Sequence, residues 1–298
     1  MWFLLSLCAI FAWSGSDLFS KIGSRPDDRY SHWKMVIAVG GVMGVHAIVQ
    51  LLGGVSFSLQ DIVIYLPASA LYIISMIFGY VGLRYIELSI SSPICNSSGA
   101  LVAVMCFLFL GQRMGGMQLV AVALVCIGVI SLAVVEKRQD DTVRAARRES
   151  LDVKYTRSFK ALLFPVLYMV IDALGTFTDA FLLEHYIEET QANIAYELTF
   201  LMLAIVAAVY VFIVKRERIA PRADAPKLMA GLCETAGQFA YVFAIGSNAI
   251  LAAPLIASYS VFSVLWSRIF LKEKLSKQHY ATIFLTLAGI VLMGILDM

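Results

Sequence analysis

The chain has few charged residues for its length. Charged side chains make up 15% of its 298 residues, whereas hydrophobic side chains make up 60%. A soluble domain typically carries about 25% charged and 45–50% apolar residues. The scarcity of charge therefore excludes an ordinary soluble domain and indicates a multi-pass membrane protein. The five cysteines have no paired spacing and lie inside apolar segments, so we expect inert buried thiols, with no metal, cofactor or disulfide.

The sequence also lacks the polar–apolar alternation of a membrane β-barrel, so its membrane spans are predicted to be helices. Crossing the hydrocarbon takes roughly 20 apolar residues per helix. The first segment lacks a basic start and a clean cleavage site, so we interpret it as a retained span rather than a signal peptide. Ten segments qualify, at about 2–20, 33–53, 62–83, 92–111, 116–135, 160–183, 193–214, 226–246, 249–270 and 278–297.

Positive charge is absent from one side of this arrangement, apart from Arg113. The other basic residues fall in alternate connections, which ten spans place on one side. The positive-inside rule makes that side cytoplasmic and both termini outward, in the cytoplasmic membrane. The charged stretch 136–159 is predicted to be a cytoplasmic linker. Binding of nucleic acid by its basic run is the alternative to an orientation-setting loop, and we favour the loop and expect no nucleic-acid partner.

Residues 93–128 and 254–289 align without a gap. In each, a proline opens an apolar helix, a serine follows four residues on, the helix ends in Phe-Leu and a polar break, and the next helix contains a glycine. Few residues are identical, so the spacing carries the argument. The matching pairs are Pro93 and Pro254, Ser97 and Ser258, Phe109-Leu110 and Phe270-Leu271, and Gly128 and Gly289.

The repeat predicts an all-α membrane protein with ten transmembrane helices in two inverted five-helix repeats, 1–135 and 160–298. Five spans per half is an odd number, so equivalent helices must run in opposite directions. Such repeats are frequent in secondary transporters, which bind solute between the halves. A weaker similarity relates the first spans of the two halves, between Ser16-Asp17-Leu18-Phe19 and Thr178-Asp179-Ala180-Phe181.

These features resemble the drug/metabolite transporter superfamily in its ten-helix EamA-like form, over the whole chain. The family has a Gly-Glu-Arg-like turn after the fourth helix of each half. Here Gly111-Gln112-Arg113 lacks the acid and Lys272-Glu273-Lys274 lacks the glycine, while Trp13-Ser14-Gly15 keeps the aromatic-small pattern of the first span. The resemblance implies a carrier with alternating access and a cavity lined by spans 1, 3, 4, 6, 8 and 9. It leaves the substrate open.

Polar residues in mid-span are the candidates for solute binding, because an ionisable group in the bilayer costs several kcal/mol unless a cavity or a partner holds it. Several recur at helical spacing, such as Tyr168, Asp172 and Thr176 in the sixth span. The predicted substrate-binding residues are Asp172, Glu234, Tyr168, Thr176, Asn96, Trp13, Tyr72, Tyr241, Tyr259 and Trp266. The candidates for proton coupling are Asp172, Glu234, Asp179 and Asp17.

Each acid also has a plainer interpretation. Asp17 lies near Lys21, so an interfacial ion pair is an alternative to a ligand contact, and Asp179 is near enough to the outer surface to be solvated. His46 and Gln50 are four residues apart, which favours an ordinary hydrogen bond between helices. Gly40 and Gly44 favour close helix packing over dimerisation, and the sequence leaves open whether the protein is a monomer or a homodimer.

The mid-span ionisable groups are mostly acids, with no basic residue at similar depth. Acids and aromatic rings suit a small amphipathic or cationic solute such as an amine or an amino-acid derivative. The same carboxylates suit proton exchange, and both roles are compatible. A phosphate-bearing solute would need deep Lys or Arg. The alternatives are an intramembrane protease using Ser97 or Ser98 with His46, or Asp172 with Asp179, and a non-transporting receptor or scaffold. We expect no enzyme.

Overall fold

The computed structural model describes residues 1–25, 28–86, 88–147, 159–272 and 275–297, and within these ranges it contains helices and no strand. The predicted all-helical class is therefore confirmed. The eleven α-helices of these ranges are α1 (Trp2–Gly23), α2 (Ser31–Leu52), α3 (Leu59–Leu83), α4 (Leu88–Cys95), α5 (Ser98–Phe109), α6 (Gly116–Arg147), α7 (Phe159–His185), α8 (Glu189–Ala208), α9 (Pro221–Ala257), α10 (Tyr259–Phe270) and α11 (Lys277–Asp297). A π-helical turn, Val209–Val214, extends α8.

Nine stretches within the described residues are long and apolar enough to cross a membrane. One of them, Pro221–Phe270, is 50 residues long and contains α9 and α10. At about 1.5 Å per residue it would be roughly 75 Å long if straight, against a hydrocarbon thickness of about 30 Å. It bends because Asn248 has an extended backbone (φ −165°, ψ 79°). Past the bend, the amide of Ile250 donates to Oε1 of Gln112 at 3.2 Å, which provides a partner for an amide freed by the break.

A few residues after each of the repeated prolines, Pro93 and Pro254, the helix is interrupted. The predicted spans 92–111 and 249–270 were continuous and did not include these interruptions. α4 ends at Cys95 and α5 begins at Ser98, and Ser258 separates α9 from α10. Proline cannot donate a backbone hydrogen bond and so weakens the helix around it. The hydroxyl of Ser97 donates to the carbonyl of Pro93 at 2.9 Å. The two breaks touch, since a Cβ on Gly99 would lie 2.6 Å from that of Ala257.

The charged stretch after residue 135 begins as helix. α6 continues to Arg147, where we expected a loop-like linker from residue 136. The segment contains no proline or glycine and is rich in residues with high helix propensity, so nothing in it ends the helix. Residues 148–158, the remainder of the linker, lie outside the described residues, as do Glu273 and Lys274 of the second polar break.

The helices of the two halves pack on each other in several pairs. α1 packs on α9 and contacts α10, and α7 packs on α3 and contacts α5. α2 packs on α8, and α6 packs on α11. The bundle therefore brings both halves together along its whole length.

Gly128 of α6 and Gly289 of α11 both lie at the crossing of these two helices, and each contacts the other helix. A Cβ on Gly128 would overlap Oγ1 of Thr286, and one on Gly289 would lie 2.7 Å from Cγ2 of Val125. Gly40 and Gly44 allow a similar approach of α2 to α8, where a Cβ on Gly40 would lie 2.6 Å from the carbonyl oxygen of Phe200. Close helix packing within the chain accounts for these glycines, as small residues at membrane-helix interfaces generally do.

Candidate functional site

A cavity lies between α1, α3, α4, α5, α7, α8, α9 and α10, with an empty volume of about 980 Å³ that includes its opening to solvent. Its lining carries three carboxylic acids, Asp17, Asp172 and Glu234, one each from α1, α7 and α9. Each is partly exposed to the cavity. The described residues that line it include no lysine, arginine or histidine.

Asp172 is held by a serine at the proline-linked break of the first half. Helical spacing places it on one face of α7 with Tyr168 and Thr176, and all three line the cavity. The hydroxyl of Ser98, the first residue of α5, donates to Oδ2 of Asp172 at 2.9 Å. The break between α4 and α5 therefore positions a donor for the acid of the opposite half.

Glu234 and Asp17 also accept hydrogen bonds from serine hydroxyls. Ser16 on α1 donates to Oε2 of Glu234 at 2.6 Å. Asp17 accepts through Oδ2 from Ser263 at 2.7 Å, and from Ser92 in a short hydrogen bond. These donors are all neutral. The acids are thus oriented by hydrogen bonds without having their charge neutralised by these partners.

Aromatic rings form a second feature of the cavity wall. The ring of Trp13 lies 4.9 Å from that of Tyr241 and 5.7 Å from that of Tyr259, measured between centroids. The absence of a side chain at Gly237 leaves room for the indole of Trp13, because a Cβ on Gly237 would overlap it. Tyr259 is the first residue of α10, so the break at Ser258 sets its position. The cavity therefore combines anionic groups with aromatic faces.

Asp179 lies outside the cavity lining and is completely buried. Tyr65 donates to its Oδ1 at 2.6 Å and Tyr72 to its Oδ2 at 3.2 Å. The hydroxyl of Tyr72 also contacts that of Tyr241. The alternative of a solvated Asp179 near the outer surface is therefore wrong, because tyrosines from α3 and α9 close over it. We call Asp179, Tyr65, Tyr72 and Tyr241 the tyrosine cluster.

Most of the predicted site residues meet at the cavity, although their role in binding stays a prediction. Trp266 does not line it, and its indole N–H instead donates to the hydroxyl of Ser14 at 3.0 Å. Among the proton-coupling candidates only Asp179 is outside the lining. The predicted residues that line the cavity are Trp13, Asp17, Tyr72, Asn96, Tyr168, Asp172, Thr176, Glu234, Tyr241 and Tyr259.

Sequence reasoning missed the serine donors and the buried Tyr196. Ser16, Ser92 and Ser98 line the cavity and hold its acids. Serine is common in membrane helices, where its hydroxyl often bonds to the preceding turn of its own helix. These three are therefore not distinguished by sequence from Ser6 or Ser97, which do bond within their own helices.

The protease arrangement has no geometric support. Nδ1 of His46 lies 2.7 Å from Oε1 of the buried Glu197, across the interface of α2 and α8. Gln50 bonds to His46 within α2. The predicted hydrogen bond between helices is the one that joins His46 to Glu197. Ser98 bonds to Asp172, and Asp179 to tyrosines, so neither a Ser–His nor an Asp–Asp pair is formed by these residues. Within the described residues, no group of three or more His, Cys, Asp or Glu is placed to hold a metal ion.

The cysteines differ in burial. Cys95 and Cys106 are buried, whereas Cys8 is exposed on the surface of α1, where we had expected burial. In a membrane helix an exposed apolar face is directed at lipid, and sequence hydropathy does not separate that face from a buried one. Each of the five cysteines is a free thiol in the structure.

A bundle of apolar helices around a polar cavity that carries three acids is the architecture of a multi-pass membrane protein. The chain belongs to the EamA-like transporter family, whose model matches residues 1–134 and 160–295. Members of this family generally transport small solutes across membranes. The predicted resemblance to the drug/metabolite transporter superfamily is thus confirmed.

A solved crystal structure shares the fold. It is similar over 98% of this chain and 96% of its own length, with a TM-score of 0.66 and 15% sequence identity. At 15% sequence identity, this similarity shows a shared fold and nothing about a shared substrate. No curated protein sequence matches the chain significantly.

Proposed function

We propose that this chain is a secondary active transporter that moves a small amphipathic or cationic solute, such as an amine or an amino-acid derivative, across the cytoplasmic membrane by alternating access. The observation that carries the proposal is the charge of the cavity. Asp17, Asp172 and Glu234 line it with no basic side chain among its described lining residues. A cation offsets the cost of holding carboxylates away from water, whereas an anion would increase it.

The aromatic wall supports the same class of solute. Trp13, Tyr241 and Tyr259 present ring faces and edges beside the acids. A desolvated cation over an aromatic face gains up to about 2 kcal/mol. The rings also provide apolar area for the organic part of an amine, which an inorganic cation would not use.

Alternating access follows from the proposed repeat. The break at Asn248 supports a division of Pro221–Phe270 into two crossings, which brings the count to ten. The exchange of helix packing between the halves supports five crossings per half. Two halves of five crossings have opposite orientations, and such inverted repeats alternate around one central site between two states related by a pseudo-twofold axis in the membrane plane.

We further propose that protons compete with the solute at the cavity acids. Asp172, Glu234 and Asp17 are the candidates, because they are the carboxylates in the lining. Only the ionised carboxylate attracts a cation, so acidification should weaken solute binding and a proton gradient should drive exchange. Asp179 remains a candidate for the state in which the tyrosine cluster opens.

The test is solute flux in proteoliposomes that contain the purified protein. Asp172→Asn removes one negative charge and keeps the size of the side chain, so uptake of a cationic solute should fall at least about tenfold, equivalent to about 1.4 kcal/mol. Glu184→Gln is the matched control, because Glu184 is on the same helix but exposed. Equal flux in Asp172→Asn and wild type would contradict the assignment of Asp172. Absence of any flux of cationic solutes by the wild type would contradict the proposed substrate class.

A further inference from the structure

The number of acids in the cavity exceeds what one simple cation can neutralise. Asp17, Asp172 and Glu234 come from three different helices, and their hydrogen-bond donors are serine hydroxyls. All three line one cavity. A single ammonium would leave two carboxylates that either keep an uncompensated charge, at a cost of several kcal/mol each, or hold a proton.

Three buried polar atoms of this cavity make no hydrogen bond to a described residue: Nε1 of Trp13, the hydroxyl of Tyr80 and Nε2 of Gln238. Tyr80 and Gln238 are both more than nine-tenths buried. Buried polar groups are nearly always paired, so each indicates a missing polar ligand or water. Tyr80 lies within electrostatic reach of Glu234 and Asp17, and its hydroxyl oxygen is able to accept a hydrogen bond from an ammonium at that position.

The hydrogen bonds of the acids place them in two neighbourhoods. Ser16, which donates to Glu234, directly precedes Asp17 on α1, whereas Asp172 on α7 is held by Ser98 of α5. The cavity wall also includes Trp13 and Met76, which expose no charge. A flexible molecule with an ammonium at each end can give each neighbourhood a cationic partner and pack its methylenes on Trp13 and Met76, whereas a compact ion provides a single cationic partner.

We propose that the preferred ligand is an organic dication, an α,ω-diamine, with one ammonium at Glu234, Asp17 and Tyr80 and the other at Asp172. This inference rests on the proposed function and narrows its substrate class. A dication neutralises two of the three carboxylates, and the third is left for a proton. Both ammonium groups then have a carboxylate partner, and Tyr80 gains the hydrogen bond that it lacks.

The test compares two amines of equal chain length, 1,5-diaminopentane and 1-aminopentane, by calorimetric titration of the purified wild-type protein. We expect the diamine to bind at least about tenfold more tightly, because only it reaches both neighbourhoods. Equal affinity for the two amines would overturn the dication proposal and leave the cationic transporter intact. Binding of neither amine would overturn the proposed cationic function itself.

A variant locates the second ammonium. Asp172→Asn should lower the ratio of diamine affinity to monoamine affinity by about tenfold, while Glu184→Gln should leave the ratio unchanged. If Asp172→Asn does not fold, the wild-type comparison still decides the proposal, since it needs no substitution. A ratio that is unchanged in folded Asp172→Asn would overturn the assignment of Asp172 to the second ammonium.

Discussion

Asp179 is, with Glu197, one of two fully buried acids among the described residues, and its environment is built from tyrosine hydroxyls. Tyr65 donates to it at 2.6 Å and Tyr72 at 3.2 Å, and both tyrosines belong to α3. A hydrogen bond to a charged or strongly polar buried group contributes about 1.5–3 kcal/mol. The tyrosine cluster therefore binds α3, α7 and α9 to one another at a single point.

Tyr65→Phe should lower the free energy of unfolding by about 1.5–3 kcal/mol, since it keeps the ring and removes one donor from a buried acid. The measurement is thermal unfolding of the detergent-purified protein. Tyr186→Phe is the control, because Tyr186 is 62% exposed and the same hydroxyl is removed at a solvated position. Equal unfolding temperatures for the two variants would show that the Tyr65 hydroxyl does not stabilise Asp179.

Sequence periodicity placed acids and aromatic residues on one face of a helix but could not say which face meets the cavity. Asp172 and Asp179 both lie close to one stripe of α7, yet one lines the cavity and the other is sealed by Tyr65. Trp266 has the spacing of a cavity residue and instead packs on α1 through Ser14. Such differences depend on neighbouring helices, and a single helix's pattern carries no information about them.

At the scale of the elements, the crossing of α6 and α11 depends on two glycines. A Cβ on Gly128 would lie 3.0 Å from the backbone nitrogen of Thr286 and would overlap its side chain. Backbone atoms cannot move aside as a flexible side chain can, so the helices would have to separate. Gly289 makes the reciprocal contact with Val125 on α6.

Gly128→Ala should therefore destabilise the protein by about 1–3 kcal/mol through overpacking. Alanine normally stabilises a helix relative to glycine by about 0.5–1 kcal/mol, so the expected sign is opposite to the helix preference. Gly116→Ala, at the start of the same helix with open space around it, is the control and should be neutral or slightly stabilising. Thermal unfolding that moves the two variants in the same direction would contradict this account of the crossing.

The sequence predicted most helix positions because hydropathy alone determines where a membrane span lies. It also placed a boundary at residues 247–248, where Asn248 breaks the helix. It missed the breaks after Cys95 and at Ser258. A proline permits a bend in a helix without requiring one. The apolar run continues through both positions, so hydropathy does not reveal these breaks.

At the scale of the whole molecule, the orientation in the membrane is still a prediction from the one-sided basic residues. The connection 53–58 between α2 and α3 and the connection 215–220 after the π-helical turn should lie on opposite sides. Ser56 and Arg218 are exposed in these two connections. The positive-inside rule assigns Ser56 to the outside and Arg218 to the cytoplasm.

Ser56→Cys should react with a membrane-impermeant maleimide in intact cells, whereas Arg218→Cys should react only after the membrane is opened. Both variants are made in a background whose five native cysteines are replaced by serine or alanine. The unsubstituted background is the control for labelling elsewhere. Labelling of Arg218→Cys in intact cells, with protection of Ser56→Cys, would mean that the basic side faces outward.

The tyrosine cluster has a consequence for the empty carrier. Asp17 and Asp179 occupy corresponding places in the proposed halves, but Asp17 is held by the serines Ser92 and Ser263 and is partly exposed to the cavity, whereas Asp179 is sealed by tyrosines. If the halves exchange conformations, the reverse state must open the tyrosines and close the serines. The two states then differ in energy even without solute, because rings bury more apolar area than hydroxymethyl groups. The unloaded protein should therefore rest mainly with its tyrosine end shut. A solute that binds the other state then has its apparent affinity lowered by the cost of opening that end.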